Sequence, residues 1–247
     1  RVLSVSLGSS SRNHVASGEF AGCKFRLERI GTDGDKAAAK RLLRSMDGKV
    51  DAFGLGGTDL FIYAGKRRYT FRESAEIAAW AGRTPIVDGS GLKNTLERRV
   101  IRMLATEKII DFEGKKVLMV CALDRFGMAE ALHEAGAINT YGDLMFGLGL
   151  PVPLHKLSSL DRLARCLAPI VTRLPVSLFY PTGKAQCERR PKFAAAFAAA
   201  DIIAGDWHFI RRHMPDRLDG KIIITNTLTG EDKRLLQKSG AAMLVTT

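Results

Sequence analysis

The stretch GKKVLMVCALDRFGMAEALHEAGAINTYGD, residues 114–143, decides the fold of this chain. Its first part, Val117 to Val120, is a continuous apolar run, which is typical of a strand buried on both faces of a parallel sheet. A loop follows from Cys121 to Phe126, and Gly127 opens a helix whose apolar residues recur at helical spacing. A second strand then ends at Asp143. This strand–loop–helix–strand order predicts half of a dinucleotide-binding unit.

The loop of this unit departs from the glycine pattern that binds a pyrophosphate. Such a turn reads G-x-G-x-x-G, and with Gly127 as the third glycine the other two positions hold Ala122 and Asp124. A carboxylate there repels phosphates, although a helix start favours an anion and the neighbouring Arg125 offsets part of the repulsion. Asp143 falls near the position where an acidic side chain holds ribose hydroxyls, so we predict that it contacts an adenosine ligand. The alternative is a solvated Asp124–Arg125 loop pair and an Asp143 that only caps its strand.

The composition is that of a globular protein. The chain has 247 residues, enough for one large domain or two of ordinary size, with 46% hydrophobic and 26% charged residues. No apolar run is long enough to span a membrane, and the chain begins in an apolar strand without a leader pattern, so we expect a cytoplasmic protein. The four cysteines show no C-x-x-C spacing and predict reduced thiols, with neither a disulfide framework nor a metal site.

The strong positive charge raises nucleic acid as a partner. The net charge is +12, from 38 basic and 26 acidic residues. The basic residues are scattered in short groups such as Arg98-Arg99, Arg189-Arg190 and Arg211-Arg212, and no aromatic-interleaved RNA motif accompanies them. A solvated surface or a site for an anionic ligand explains them better, so we disfavour nucleic acid and expect a small-molecule partner.

The order of predicted elements indicates two α/β lobes with a cleft between them. We place an N-terminal substrate lobe at residues 1–108 and a C-terminal Rossmann-like, doubly wound parallel sheet at residues 109–247, because the strand–loop–helix order restarts at Gly114. Six strands are predicted in the second lobe: Val117–Val120, Ile138–Tyr141, Val176–Phe179, Ile202–Ala204, Ile222–Thr225 and Met243–Val245. The chain stops at the tip of the last strand, so we expect a longer natural protein.

Polar loops follow most of the predicted strands. In an open α/β sheet ligands bind outside the carboxyl ends of strands, so these loops predict one binding crevice, unless their glycines and aspartates serve only as turn residues. His208 is the histidine best placed for proton transfer, although a lone histidine at a helix start is more often structural. The predicted cofactor-binding residues are Ala122, Asp124, Arg125, Phe126, Gly127, Asp143, Thr182, Gly205, Asp206, Asn226 and Thr227.

Four segments carry a resemblance to a known family: VDAFGLGGTDLFIYAGKRRY, PIVDGSGLKNTLERR, KVLMVCALDRFGMAEALHEAGA and IIAGDWHFIRRHMPD. They resemble a bacterial family labelled quinate 5-dehydrogenase, similar in layout to the quinate/shikimate dehydrogenases. The resemblance implies NAD or NADP as cofactor and a catalytic lysine–aspartate pair in the substrate lobe. Lys93 with Asp59 or Asp88 is the nearest candidate for that pair.

Three functions are therefore in competition. The first is an NAD(P)-linked oxidoreductase acting on a small hydroxylated, anionic molecule, with Lys93 holding or protonating the reacting oxygen. The second is a methyltransferase that uses S-adenosylmethionine, a cofactor without phosphates that tolerates Asp124. The third is a non-catalytic nucleotide-binding regulatory protein. A homodimer is compatible with each of them.

Overall fold

The computed structural model describes residues 1–65, 67–175, 189–226 and 228–247, and it divides the chain into two compact α/β units. Unit 1 is built mainly from residues 1–62, 68–91 and 167–175. Unit 2 is built mainly from residues 92–166 and from the chain after residue 189. Each unit has its own sheet, so the prediction of two α/β lobes with a Rossmann-like second lobe is confirmed.

The described residues among the first 89 form seven strands and two α-helices, which we number in chain order. The strands are β1 (Val2–Ser6), β2 (His14–Phe20), β3 (Cys23–Gly31), β4 (Ala52–Gly56), β5 (Phe61–Ala64), β6 (Arg67–Thr70) and β7 (Ile86–Val87), and the helices are α1 (Lys36–Met46) and α2 (Arg72–Ala78). The main sheet has the order β2-β3-β1-β4-β7, while β5 and β6 form a separate two-stranded sheet. The core of unit 1 lies between the sheet and its helices and includes Leu3, Val5, Leu43, Phe53 and Ile77.

The hairpin of β2 and β3 was not predicted. Both strands run antiparallel in full register from His14 opposite Arg29 to Phe20 opposite Cys23. They are joined by Ala21 and Gly22, which both have positive φ angles, as the tightest hairpin turns require. The chain between β1 and α1 is therefore an antiparallel hairpin in addition to the strand–helix units of the lobe. Since β2 is exposed along most of its length, its sequence lacks the buried-face alternation that would have revealed it.

Unit 2 contains five strands among its described residues, all parallel to their neighbours. They are β8 (Lys116–Met119), β9 (Ile138–Tyr141), β10 (Ile202–Ala204), β11 (Ile222–Thr225) and β12 (Met243–Thr246). The helices are α3 (Ser90–Thr106), α4 (Phe126–Glu134), α5 (Leu157–Val171), α6 (Ala194–Ala199), α7 (Trp207–His213) and α8 (Gly230–Lys238). The predicted strand Val176–Phe179 lies outside the described residues.

The sheet of unit 2 is covered on both faces, as a doubly wound fold requires. Alternate residues of β8, and Val120 directly after it, enter two different cores. Val117 and Met119 pack with helices α3, α4 and α5, whereas Leu118 and Val120 pack with helices α6, α7 and α8. The strand order is β9-β8-β10-β11-β12. Numbered from the first strand, this is the 2-1-3-4-5 order of doubly wound sheets.

Helix α3 belongs to unit 2. Its Ile101 and Leu104 are buried in the same core as Val117 and Met128. The structure therefore divides the chain between Gly91 and Leu92, before most of α3, whereas the sequence placed the division after this helix, between residues 108 and 109. The many charged residues of α3 obscured the apolar face with which the helix packs in unit 2. Within the described part of the chain, no helix is long and apolar enough to cross a membrane.

Candidate functional site

The strand order of unit 2 marks one place for a ligand. Strand β8 lies between β9 and β10. The connection from β8 leads to β9 on one side, and the later strands lie on the other side, so the strand order reverses at β8. Ligands of doubly wound sheets bind outside the carboxyl ends of the strands at this switch point. The residues that arrive there are Cys121 to Arg125 after β8, and Gly205 and Asp206 after β10.

Lys93 and Asp124 form an ion pair at this place. Nζ of Lys93 lies 2.9 Å from Oδ1 and 2.7 Å from Oδ2 of Asp124. The two side chains are only 16% and 9% exposed. The Asp124 carboxylate therefore does not face the turn as an uncompensated charge, because the ammonium group of the first turn of α3 neutralises it.

Arg125 is the centre of a second group of charges. Its guanidinium is bound by Glu97 through Nη1 and by Asp206 through Nη2, the latter at 3.0 Å. Arg125 as a whole is 1% exposed. Burial opposes the charge of Asp206, but the positive charges of Arg125, His208 and Lys93 together lower its pKa below the usual value. The ion pairs tie the loops after β8 and β10 to helix α3.

Asp143 closes the turn after β8 from within the protein. Its Oδ1 accepts hydrogen bonds from the backbone N–H groups of Ala122 at 3.0 Å and Leu123 at 2.8 Å. Burial raises the pKa of Asp143 to about 6, in spite of these two hydrogen bonds. Burial and the charge of Asp143 also raise the pKa of the neighbouring Cys121 thiol well above its usual value.

Gly127 faces another helix. A Cβ atom at this position would lie 2.9 Å from the backbone oxygen of Asn94 in α3. The absence of a side chain therefore allows α3 and α4 to approach each other closely. Phe126, one residue earlier, is 4% exposed and packs in the core of unit 2.

The turn after β8 does not fit a pyrophosphate in the manner of a glycine-rich turn. Two backbone amides of this turn, those of Ala122 and Leu123, are bonded to the carboxylate of Asp143. The position where such a turn needs glycine carries Asp124, which is held by Lys93. Two carboxylates thus stand where that binding mode needs an open, positively polarised backbone. A nicotinamide dinucleotide would have to place its phosphates elsewhere.

The remaining predicted residues of unit 2 lie around the same strand ends. Oδ1 of Asp206 accepts from the N–H of His208 at 2.9 Å and so caps helix α7, which places His208 in the first turn. Asn226, after β11, accepts from the N–H of Trp207 at 3.3 Å. Gly205 donates its N–H to Ile224 and has a φ of 135°. The predicted residues Thr182 and Thr227 lie outside the described residues.

The aspartates predicted to assist Lys93 lie in unit 1. Asp88 accepts hydrogen bonds from the N–H of Leu60 at 2.6 Å and from the hydroxyl of Ser90 at 2.7 Å. Asp59 is 6% exposed. The aspartate that the structure brings to Lys93 within unit 2 is Asp124. The pairing of Lys93 with Asp59 or Asp88 stays a prediction.

Sequence reasoning missed Glu97. This side chain is 4% exposed and provides one of the two carboxylates that hold Arg125. A signal was present, because Glu97 lies four residues after Lys93 and therefore on the same face of α3. The helix was assigned to the other lobe, so this face was not connected with the switch point.

The described residues were searched for metal-binding clusters and for disulfides. No group of three or more histidine, cysteine, aspartate or glutamate residues there could hold a metal ion. Cys23, Cys121 and Cys166 are free thiols. The fourth cysteine, Cys187, lies outside the described part of the chain.

Comparison with known proteins places the chain in a family. A family model described as Domain of unknown function (DUF8754) matches residues 91–247. The chain belongs to that family. A second model, described as Domain of unknown function (DUF8753), matches residues 1–88, so the two matches meet close to the division between the two units. No curated protein matches the sequence. The family descriptions do not name a quinate dehydrogenase, so that finer assignment is treated below as a proposal.

Solved structures show only distant similarity. NAD-dependent malic enzyme from Thermotoga maritima is 12% identical, with a TM-score of 0.35, and the match covers 99% of this chain and 65% of that one. Entamoeba histolytica malic enzyme is 11% identical, with a TM-score of 0.38 and coverage of 89% and 45%. A dipicolinate synthase chain from Bacillus halodurans is 13% identical, with a TM-score of 0.34 and coverage of 100% and 89%. The chain thus spans less than two thirds of either malic enzyme, and values this low do not indicate what it binds.

Proposed function

We propose that unit 2 carries the active site of an oxidoreductase that acts on a hydroxyl or carbonyl group of a small molecule. The observation that carries this proposal is the Lys93–Asp124 pair at the switch point of a doubly wound sheet. A lysine held by a carboxylate in a nearly buried position is the acid–base pair that oxidation of an alcohol requires. The resemblance to quinate/shikimate dehydrogenases supports the same class and favours a hydroxylated, anionic substrate.

The proposed chemistry assigns a role to each member of the site. Lys93 donates a hydrogen bond to the reacting oxygen and exchanges its proton with it, while Asp124 holds Nζ in place and stabilises the ammonium form. Arg125, fixed by Glu97 and Asp206, holds the two loops together so that the geometry of the pair is kept. NAD or NADP would supply the hydride acceptor, with its pyrophosphate held outside the turn after β8.

A specific observation favours a second candidate. The carboxylate of Asp143 accepts from two backbone amides of the turn after β8, and Asp124 stands where a pyrophosphate-binding turn has glycine. S-adenosylmethionine has no phosphate and carries a positive sulfonium, so the carboxylates around this turn do not repel it in the same way. Under this alternative the protein is a methyltransferase on a dehydrogenase-like sheet.

A ligand screen by thermal shift separates the two candidates. The ligands are NAD, NADP, S-adenosylmethionine and S-adenosylhomocysteine, each at saturating concentration. A ligand at a hundredfold its dissociation constant stabilises the folded protein by about 2.7 kcal/mol, which is easily detected. We expect NAD or NADP to raise the melting temperature. Stabilisation by the adenosylmethionine pair alone would replace the oxidoreductase with the methyltransferase.

Turnover then tests the role of Lys93. We expect the wild type to reduce the nicotinamide cofactor with a member of a panel of hydroxylated carboxylates that includes quinate and shikimate. Lys93→Met should lower this rate about 10²–10⁴-fold, the usual contribution of a general acid–base group, and leave cofactor binding in place. Lys238→Met, which removes an exposed lysine of α8, is the matched control and should keep full activity. Cofactor binding without turnover on any substrate would favour the regulatory alternative.

A further inference from the structure

The main sheet of unit 1 ends in a strand that is open to solvent. Strand β2 is the outermost strand of this sheet, and six of its seven residues are exposed. In the described part of the chain, no hydrogen bond joins β2 to any element other than β3. One edge of the strand therefore presents main-chain N–H and C=O groups that have no partner within the described residues.

Strand β2 also lacks the features by which most sheet edges avoid pairing with another strand. Such edges are usually short or bulged, or they carry proline or lysine. β2 has seven residues, HVASGEF, of which Glu19 bears the only carboxylate and none is proline or lysine. Its pairing with β3 continues without a bulge from His14 to Phe20. The free edge is therefore suited to receive a further strand.

The hydrogen bonds of β3 show which residues of β2 face the free edge. The N–H of Gly31, at the end of β3, donates to Oδ1 of Asn13, directly before β2, at 2.6 Å. The direction of the N–H groups alternates along a strand, so Leu27 also faces β2, where it pairs with Ala16. The residues on either side of Ala16 and of Gly18 therefore direct their main-chain groups outward. They are Val15, Ser17 and Glu19.

These three residues match a second copy of the same strand. When two β2 strands run antiparallel about a two-fold axis at Ser17, Val15 of each lies opposite Glu19 of the other. No like charges are then opposed, and each of the three residues can donate and accept one hydrogen bond. Phe20, which is 76% exposed, would lie opposite His14 of the second copy, and this cross-strand contact would cover part of the ring.

We propose that unit 1 binds a second copy of the chain by antiparallel pairing of the two β2 strands. The two five-stranded sheets would then form one continuous sheet across both copies. Each copy carries a net charge of +12, which opposes association, and added salt screens this repulsion. Pairing should therefore strengthen as the salt concentration rises, whereas binding of a nucleic acid would weaken. The interface involves unit 1 alone and does not depend on the chemistry proposed for unit 2.

Sedimentation equilibrium of the whole chain, over a range of protein and salt concentrations, tests the proposal. We expect a reversible equilibrium between monomer and dimer. Ser17→Pro removes an N–H that β3 does not use, and edge strands accept proline. Because the change occurs in both copies, the dissociation constant of the dimer should rise about tenfold or more. Ser17→Thr, which keeps the N–H on a residue that strands favour, is the matched control and should stay within about twofold of the wild type.

A second variant covers the case in which circular dichroism shows that Ser17→Pro perturbs the fold. In Ser17→Glu, the new carboxylates of the two copies would lie opposite each other across the axis, which should also weaken the dimer. Within its own hairpin the new carboxylate lies opposite Arg26, so the hairpin itself gains an opposite-charge pair.

Amide hydrogen exchange locates the contact between the copies. Val15, Ser17 and Glu19 should exchange slowly only at concentrations where the dimer forms, whereas exchange at Ala16 and Gly18 should not depend on concentration. The proposal is overturned by a chain that stays monomeric, by association that weakens as salt rises, or by protection that does not alternate along β2. A dimer that Ser17→Pro and Ser17→Glu leave intact would place the interface elsewhere and would also overturn it.

Discussion

The two units arrange their parallel strands in the same order but close the strand ends differently. In unit 1 the parallel part of the sheet runs β3-β1-β4-β7, and in unit 2 it runs β9-β8-β10-β11-β12. In both, the first strand lies between the second and the third. Unit 1 closes this point with backbone: the N–H of Leu7 donates to Gly56, and Gly57, with φ 68°, lies against Gly8.

Unit 2 closes the same point with charged side chains. Arg125 joins Glu97 on α3 to Asp206 after β10, and Lys93 joins Asp124. Where backbone segments are in contact, an added side-chain atom destabilises the fold, because there is no space for it. Where buried charges are paired, the loss of one partner destabilises the fold, because it leaves the other charge unpaired. The residues at the strand ends therefore decide whether the same topology has packed backbone or charged side chains at this point.

Removal of Arg125 should give the largest effect. Arg125→Met leaves the carboxylates of Glu97 and Asp206 close together without their shared cation. We expect the free energy of unfolding to fall by about 3–5 kcal/mol, which is typical when one partner of a buried ion pair is removed. Urea denaturation followed by circular dichroism measures it. Arg102→Met, which breaks an exposed pair with Glu134, should cost roughly 0.5 kcal/mol. Equal losses in the two variants would contradict the central role of Arg125.

In unit 1, an added methyl group at Gly57 should give the corresponding loss of stability. The Cβ of Gly57→Ala would lie 2.5 Å from the backbone nitrogen of Gly8, at a φ of 68°. We expect a loss of roughly 2–4 kcal/mol, from the left-handed conformation and the clash with backbone. Gly18→Ala is the matched control, since nothing lies within 4 Å of the position that its methyl group would take. A Gly57→Ala variant as stable as Gly18→Ala would show that the two loops separate easily.

Asp143 should give unit 2 a pH dependence of its own. The pKa of about 6 in the folded protein lies above the ordinary value of 3.8, so the folded state binds the proton more strongly. This contribution to stability is fully present below about pH 4 and is lost as the pH rises to about 6, with a total of about 3 kcal/mol. Asp143→Asn keeps an acceptor for Ala122 and Leu123 and has no charge to bury. The free energy of unfolding of Asp143→Asn should therefore increase relative to that of the wild type as the pH rises from about 4 to about 6.

Urea denaturation across this pH range, with Asp216→Asn as an exposed control, measures the difference between variant and wild type. The difference is needed because His213 acts in the opposite sense: with a pKa lowered to about 4, it destabilises the fold as the pH falls below about 6.5. Parallel profiles of Asp143→Asn and the wild type would mean that folding does not raise the pKa of Asp143.

The sequence allowed the sheet of unit 2 to be predicted because its central strands β8, β10 and β11 are buried on both faces. The run Val117–Val120 corresponds to β8 (Lys116–Met119) within one residue, and Ile138–Tyr141 matches β9. In contrast, β2 was missed because exposure along most of its length removes the pattern, and only the turn at Ala21 and Gly22 marks it.

The charged contacts could be predicted only in part. The residue types at the switch point were identified, and Asp124 and Arg125 were both named. The ion pairs that they form were not predicted. Glu97 and Arg125, for example, are brought together by the packing of α3 on the sheet, and spacing along the chain does not reveal such a contact. The hydrogen-bond donors to Asp143 are backbone groups, which no side-chain motif reveals. Its predicted contact with a ribose stays a prediction.

The division of the chain also has a consequence for the order of events during synthesis. Unit 1 draws on residues 167–175, so that the backbone oxygen of Thr172 accepts a hydrogen bond from the N–H of Arg72. The ribosome delivers this segment only after β8, α4 and β9 of unit 2 have been made. The N-terminal unit therefore cannot be completed before much of the second unit has emerged, and a nascent chain stopped at residue 91 lacks part of its own first unit.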